Sequence, residues 1–300
     1  MIDSKRLSRP ALLLSLLPLV GACSGSNAGD GQDASMNGAV DMASSTAMDM
    51  ADPLAPPPFC ASGGTLTTKY DSQFVGYWAI QSKVTQTQDL SGSGLGKVSA
   101  VVTTLSLAEF KLDAANNNRL VMVQNDCKIT LAGGNSFVTT TVPDKVPQST
   151  PSSTQPIKVC ENGSAVSWQR DQATVIVSCN LTDPLKDALP TTDTDPRVTD
   201  QDADGKLGVT IKISGFVNGD VYTVQRQRFT YTSTALPAAG KASGATVDRS
   251  EQNTIGATNP TLKTKVPIAP DDANSSFRLT KLSGQMTCAQ VIAAAGTLFP

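Results

Sequence analysis

Asp183, Asp187, Asp193, Asp195, Asp200, Asp202 and Asp204 crowd one stretch of this 300-residue chain, whose centre reads Asp200-Gln201-Asp202-Ala203-Asp204-Gly205-Lys206-Leu207-Gly208. Alternating aspartates in a tight loop turn three carboxylates toward one point. Gly205 allows the sharp turn, and Lys206 offers its backbone carbonyl. A donor set made only of oxygen suits a hard cation, and calcium, which takes six to eight oxygens, is the natural ion. Further oxygens would come from Asp193, Asp195 or Asp220. The ion would be structural, bracing a long loop ahead of a strand that begins at Val209. The same residues also read as a solvated acidic turn, since Asp-Gly and Asp-Pro form turns without any metal. Seven carboxylates crowded without a cation would, however, repel one another.

The Asp200–Gly205 spacing resembles the opening of the Asp-x-Asp-x-Asp-Gly calcium loops of EF-hands, dockerins and thrombospondin-type repeats. That resemblance implies ligands at Asp200, Asp202, Asp204 and the Lys206 carbonyl. The pattern then departs: position twelve, where an EF-hand places a bidentate glutamate, is Ile211, and the loop runs into a strand. A second chemical feature is Tyr222-Thr223-Val224-Gln225-Arg226-Gln227-Arg228. At strand spacing Arg226 and Arg228 share one face. Pointing inward, they would bind an anionic ligand. Pointing into solvent, they avoid the cost of burying an unpaired guanidinium, and that arrangement is expected.

What is absent limits function further. The chain has no histidine, which removes Ser-His-Asp and Cys-His catalysis and imidazole metal sites. Glutamate occurs only at Glu109, Glu161 and Glu251. With so few groups able to move protons near neutral pH, the expectation is a protein that is not an enzyme. The net charge of −2 becomes −4 without Asp3, Lys5, Arg6 and Arg9 of the first 22 residues. A nucleic-acid partner is therefore not expected, for lack of a basic face.

The N-terminus states an address. Lys5, Arg6 and Arg9 precede the apolar run from Ala11 to Val20, which is too short to span a bilayer stably. Val20-Gly21-Ala22-Cys23 follows and resembles the lipobox of bacterial lipoproteins. The resemblance implies cleavage before Cys23 and lipidation of its thiol, so that membrane attachment runs through an N-terminal lipid. Several acyl chains would anchor stably, at about 0.8 kcal/mol per buried CH₂. Ser24, not Asp, at the next position implies the outer membrane under the sorting rule of enteric bacteria. Residues 24–58 hold Gly, Ser, Ala, Asn and Met, five aspartates and no basic residue, and end in Pro53, Pro56, Pro57 and Pro58. Such a segment reads as a disordered acidic spacer, with a coil span of roughly 30 Å.

Residues 59–300 read as a single β-domain: an antiparallel meander closed as a barrel or folded as a sandwich, with one short C-terminal helix. Strand signals cover Phe74–Val84, Lys97–Leu112 (with a bulge expected near Ala108), Leu120–Leu131, Val209–Val217, Val221–Tyr231 and Ser276–Leu282. Ser164–Gln169 and Ala173–Ser178 read as a hairpin turning at Arg170-Asp171, and Asn218-Gly219-Asp220 marks another. Thr287 with Gln290 predicts a capped helix over Cys288–Ala295, ending at Gly296. Of five cysteines left after Cys23, one must stay unpaired. Symmetry about Arg170-Asp171 suggests Cys160–Cys179, pinning of both domain ends suggests Cys60–Cys288, and Cys127 would remain.

Phe74-Val75-Gly76-Tyr77-Trp78 is similar to the Gly-x-Trp signature on the first strand of lipocalins. There the Trp plugs the closed end of the barrel under a basic residue of the last strand, here Arg278 or Lys281. The resemblance implies a barrel whose cavity near Trp78 takes an apolar ligand; otherwise Trp78 is simply a core aromatic. The function expected is a membrane-anchored envelope lipoprotein with a calcium-braced β-domain that binds a partner or an apolar ligand. A structural or adhesive surface module and an Asp-dependent hydrolase are the alternatives.

Overall fold

Strands of alternating inward apolar and outward polar residues dominate the computed structural model, which describes residues 59–60, 63–90, 96–133, 138–215, 217–263 and 268–300. The leader, Cys23 and the spacer lie outside the described residues. In chain order the elements are β1 (Thr65–Leu66), α1 (Asp71–Phe74), β2 (Gly76–Leu90), β3 (Gly96–Asp113), β4 (Arg119–Gly133), β5 (Val138–Thr141) and α2 (Lys145–Ser149). There follow β6 (Ser153–Asn162), β7 (Ala165–Val177), β8 (Val209–Gly215), β9 (Gly219–Ser233), β10 (Lys241–Asp248), β11 (Glu251–Ala257), β12 (Ile268–Lys281) and α3 (Cys288–Leu298).

All these pairings are antiparallel. Around the molecule β2, β3, β4, β6, β7, β9, β10 and β12 each pair with the next, and β12 returns to β2. The meander is thus closed as a barrel, and the sandwich is not formed. Two strand lines along β9 are interrupted. On one side β10 and β11 follow each other past Arg249 and Ser250. On the other, β7 ends opposite Gln225 and β8 begins opposite Thr223, with residues 178–208 leaving the wall between them.

One end of the barrel is filled by aromatic side chains. Phe74, Trp78, Phe110, Trp168, Tyr231 and Phe277 are all buried, with Ile80, Leu120, Met122 and Leu279 between them. Trp168 meets Phe74 and Phe277 edge-on at 5.4 Å, the geometry that ring quadrupoles favour. Trp78 is 0 % exposed, and its indole N–H donates to the Phe74 carbonyl at 2.6 Å. Lys281 stands opposite Trp78 in the β2–β12 register, with its ammonium 5.4 Å from the indole centre. Gly76 is required beside them: its φ is +127°, and a Cβ there would meet the Lys281 side chain at 3.3 Å.

Several expectations need correction. The chain does not turn at Arg170-Asp171. β7 runs straight through, with a register slip between Arg170 and Ala173 that sends Arg170 into the barrel and leaves Asp171 outside on Lys158. The hairpin lies earlier, at Asn162-Gly163-Ser164 between β6 and β7. No bulge occurs at Ala108, since β2 and β3 pair without a break. The apolar outward residues Leu105 and Leu107 are covered by α3, through Val291, Ala295, Leu298 and Phe299. The irregularity falls on β4, where Cys127 is the extra residue between the partners of Leu105 and Ser106. The helix forms with its Thr287/Gln290 capping box, but it passes Gly296 and ends at Leu298.

The disulfides also differ from expectation. Among the described residues they are Cys60–Cys160 and Cys127–Cys288, and Cys179 is a free, buried thiol. Without a hairpin at Arg170, nothing brings Cys160 to Cys179. The two ends of the domain are each fastened to the barrel wall: the entry to β6, and α3 to the β4 bulge. Peptide mapping of the full chain without reductant should recover these two bridges and an unbridged Cys179. Cys127→Ala with Cys288→Ala should cost about 2–5 kcal/mol in denaturant unfolding, as expected for a bridge closing a long loop, while the far-ultraviolet spectrum stays β-like.

Candidate functional site

The aspartate loop is assembled by its own backbone. Ser178 and Asn180 exchange bonds with Arg197 and Thr199, and Gly208 N–H donates to the Thr199 carbonyl, closing a loop over residues 199–208. Inside it, Asp200 accepts from the backbone N–H of Asp204 and, at 2.9 Å, of Gly205. Gly205 provides the turn with a φ of +84°. Asp204 accepts from Lys206 N–H and from the Thr210 hydroxyl. Asp202 Oδ2 accepts Thr210 N–H at 3.0 Å, while Asp202 Oδ1 is sealed from solvent and accepts nothing. Asp200, Asp202 and Asp204 each bring a ligand oxygen within 4.8 Å of the others. Burial, with the other two carboxylates adding to it, raises the Asp202 carboxyl above its ordinary range.

The remaining expected ligands stand elsewhere. Both oxygens of Asp195 clamp Arg197, at 3.0 and 2.8 Å, and this hydrogen bonding holds its carboxyl down at about 2. Asp193 lies beside Gly256 of β11. Lys206 enters through its backbone N–H on Asp204. Thr210, the second residue of β8, fastens two of the three carboxylates and was not foreseen. A hydroxyl residue six positions beyond Asp204, on a strand, carries no sequence signal of that role.

Arg226 and Arg228 face outward from the barrel yet are only 4 % and 3 % exposed, so the solvent-facing expectation is corrected. Residues 178–208 fold back over Arg226, and Arg228 lies against β7. Arg226 reaches Glu251 at 3.0 Å and donates to the Asp187 carbonyl, and Arg228 donates to Gln172. Leu189, Val198 and Cys179 pack on Val224 and Ile255 of the same face. Neither arginine opens into the barrel.

Above the aromatic end, the barrel interior mixes polar and aliphatic side chains. It holds a partly open cavity of about 80 Å³ lined by Gln86, Gln124, Asp126, Gln225, Gln227, Asp248, Ser250 and Tyr231, with Val84, Val102, Ile129, Val142 and Phe229 among them. Trp78 does not line it. Arg170 is wholly buried below, its guanidinium 4.3 and 4.5 Å from the rings of Phe229 and Tyr231. It donates to Gln124 at 3.2 Å and to the Phe229 carbonyl at 2.6 Å. Burial lowers its pKa to about 10, so it remains a cation at neutral pH. Gln124 passes the interaction on to Asp126, which also accepts from Ser106 at 2.7 Å. Asp248 accepts from Ser250 and Gln86, and its burial raises its carboxyl.

Family models, curated proteins and solved structures give no match to the chain.

The Asp248 shift has a testable sign. A carboxyl raised by folding is disfavoured in its ionised form, so its contribution falls away as pH climbs through the folded value. Asp248→Asn keeps an acceptor for Ser250 and offers N–H to Gln86 Oε1, which has no partner. The variant should melt higher than the parent at pH 8, and the difference should shrink as pH approaches the ordinary carboxylate range. A lower melting temperature for the variant at pH 8 would contradict this account.

Proposed function

We propose that this chain is a bacterial envelope lipoprotein, anchored in the outer membrane through acylated Cys23, whose barrel is a non-enzymatic module that binds a macromolecular partner outside the cytoplasm. The observation that carries the address is the ordered sequence of basic leader, short apolar run and Val20-Gly21-Ala22-Cys23. Two disulfides among the described residues suit an oxidising compartment. The long acidic spacer would then let the barrel stand away from the lipid surface.

The interior argues for recognition on the outside. A cavity of about 80 Å³ holds a few water molecules. Pockets for drug-sized ligands run to about 300–1,000 Å³. The lipocalin-like reading, with an apolar ligand beside Trp78, finds that end filled by Phe74, Phe110 and Trp168. This interior cavity mixes four glutamines and two aspartates with valines, isoleucines and Phe229, and its volume suits ordered water or a very small guest better than a lipid.

Two measurements test these readings. In a bacterial host, the full chain should incorporate labelled fatty acid and sediment with membranes, while Cys23→Ser should lose the label and leave the membrane fraction. Retention of both by the variant would remove the lipid anchor. Titration with a fluorescent fatty acid should show no saturable uptake. Stoichiometric uptake abolished by Val102→Trp, which fills the cavity, would restore the apolar-ligand reading in its place.

A further inference from the structure

We infer that the Asp200–Asp204 loop is a calcium site, and that the ion it holds fastens residues 178–208 against the barrel. Exposed aspartates in a loop are common without any metal; the distinguishing residue here is Asp202. It is 4 % exposed, and its Oδ1 is shut off from solvent with no donor. A buried carboxylate oxygen left in this state bears its whole desolvation cost. The carboxylates of Asp200 and Asp204 stand beside Asp202, each with an oxygen within 4.8 Å of one of its own.

Every hydrogen bond given to these three carboxylates comes from a backbone N–H or from the Thr210 hydroxyl. Among the described residues no lysine or arginine forms an ion pair with them. The charge at this point therefore calls for a cation, and the orphaned oxygen for a ligand. The donors are all oxygen, which favours calcium over zinc or copper. Three carboxylates leave room for backbone carbonyl and water oxygens to complete a shell of six to eight.

Occupancy would be felt beyond the loop. Gln201, between two of the ligands, accepts from Ser178 N–H at 2.7 Å and donates to the Ser149 carbonyl at 2.9 Å. Asp200 follows Thr199, which is bonded to Ser178. Cys179, buried and unbridged, sits next to that junction and pairs with Val198 across it. Fixing the aspartates fixes the strand that covers Cys179, so the thiol reports on the ion without any assay of function.

The test uses the full chain, stripped with EDTA and titrated calorimetrically with calcium chloride. One site per chain is expected, with a Kd on the order of 10⁻⁴–10⁻³ M, the range of extracellular modules. Saturating calcium should raise the melting temperature by roughly 5 °C. Maleimide labelling of Cys179, followed by mass spectrometry of its peptide, should be about tenfold slower in calcium than in EDTA, as expected when local opening is suppressed. Asp202→Asn, which keeps the acceptor for Thr210, should lose all three effects, and Asp200→Asn provides a second variant if the first fails to fold by circular dichroism. Absence of binding at millimolar calcium, or undiminished binding in a folded variant, overturns the site. Labelling that ignores calcium overturns the fastening.

Discussion

The pairing of β2 with β12 joins the first and last long strands of the barrel, and the rest of the architecture depends on that seam. Without it the sheet would be a twisted ribbon with two bare edges, a form open to pairing with other chains. The seam brings Lys281 onto Trp78 and sets Thr85 against Ser275, residues far apart in sequence. It also settles what the interior must be. Once eight strands close, the space inside is fixed, and side chains must fill it to near-crystalline density. Two tryptophans, three phenylalanines and Tyr231 take one end, a network of amides, carboxylates and one arginine takes the middle, and an aliphatic cluster around Val177, Ile211 and Val221 lies beyond it.

That buried network separates this interior from a purely apolar one. Arg170 keeps its charge in the barrel because Phe229 and Tyr231 present ring faces to it and Gln124 relays it to Asp126. Dry, partnered polar groups of this kind are strong when satisfied and costly when not. The register slip in β7 is the means by which Arg170 reaches this position, since an unbroken alternation would have placed Ala173 and Val175 on the outer face.

The parts of the fold that local chemistry decides were legible. Asn218-Gly219 turns a hairpin, and Thr287 with Gln290 caps α3. Asn162-Gly163-Ser164 carries the same hairpin signal, and the chain turns there between β6 and β7, not at Arg170-Asp171. There a charged pair mimics a turn, and only the tertiary surroundings of Arg170 show otherwise. The doubled apolar parity of Leu105 to Phe110 is likewise tertiary, because a helix from the far end of the chain covers one face. Disulfide pairing depends on the same topology, since Cys160 and Cys179 would meet only across a turn at Arg170. At the loop, Asp200, Asp202 and Asp204 were readable because three alternating residues converge through local geometry. Asp193 and Asp195 were not, since Arg197 claims one and a turn carries the other away. The burial of Arg226 was invisible for a related reason: its cover is a distant segment with no periodicity of its own.

Residues 178–208 leave the wall opposite Gln225 and return opposite Thr223. Two positions along a strand are about 7 Å, so departure and return lie almost side by side. The hydrogen-bonded course of the wall along β9 resumes after the interruption as though the segment had been spliced into a continuous strand. A connection of a few residues would span the same gap. The barrel and its appendage are thus separable in evolutionary terms: the surface carried by the appendage can be lengthened, shortened or exchanged while the seam, the aromatic end and the buried network stay as they are. Variation among related chains would be tolerated here long before it was tolerated at Trp78.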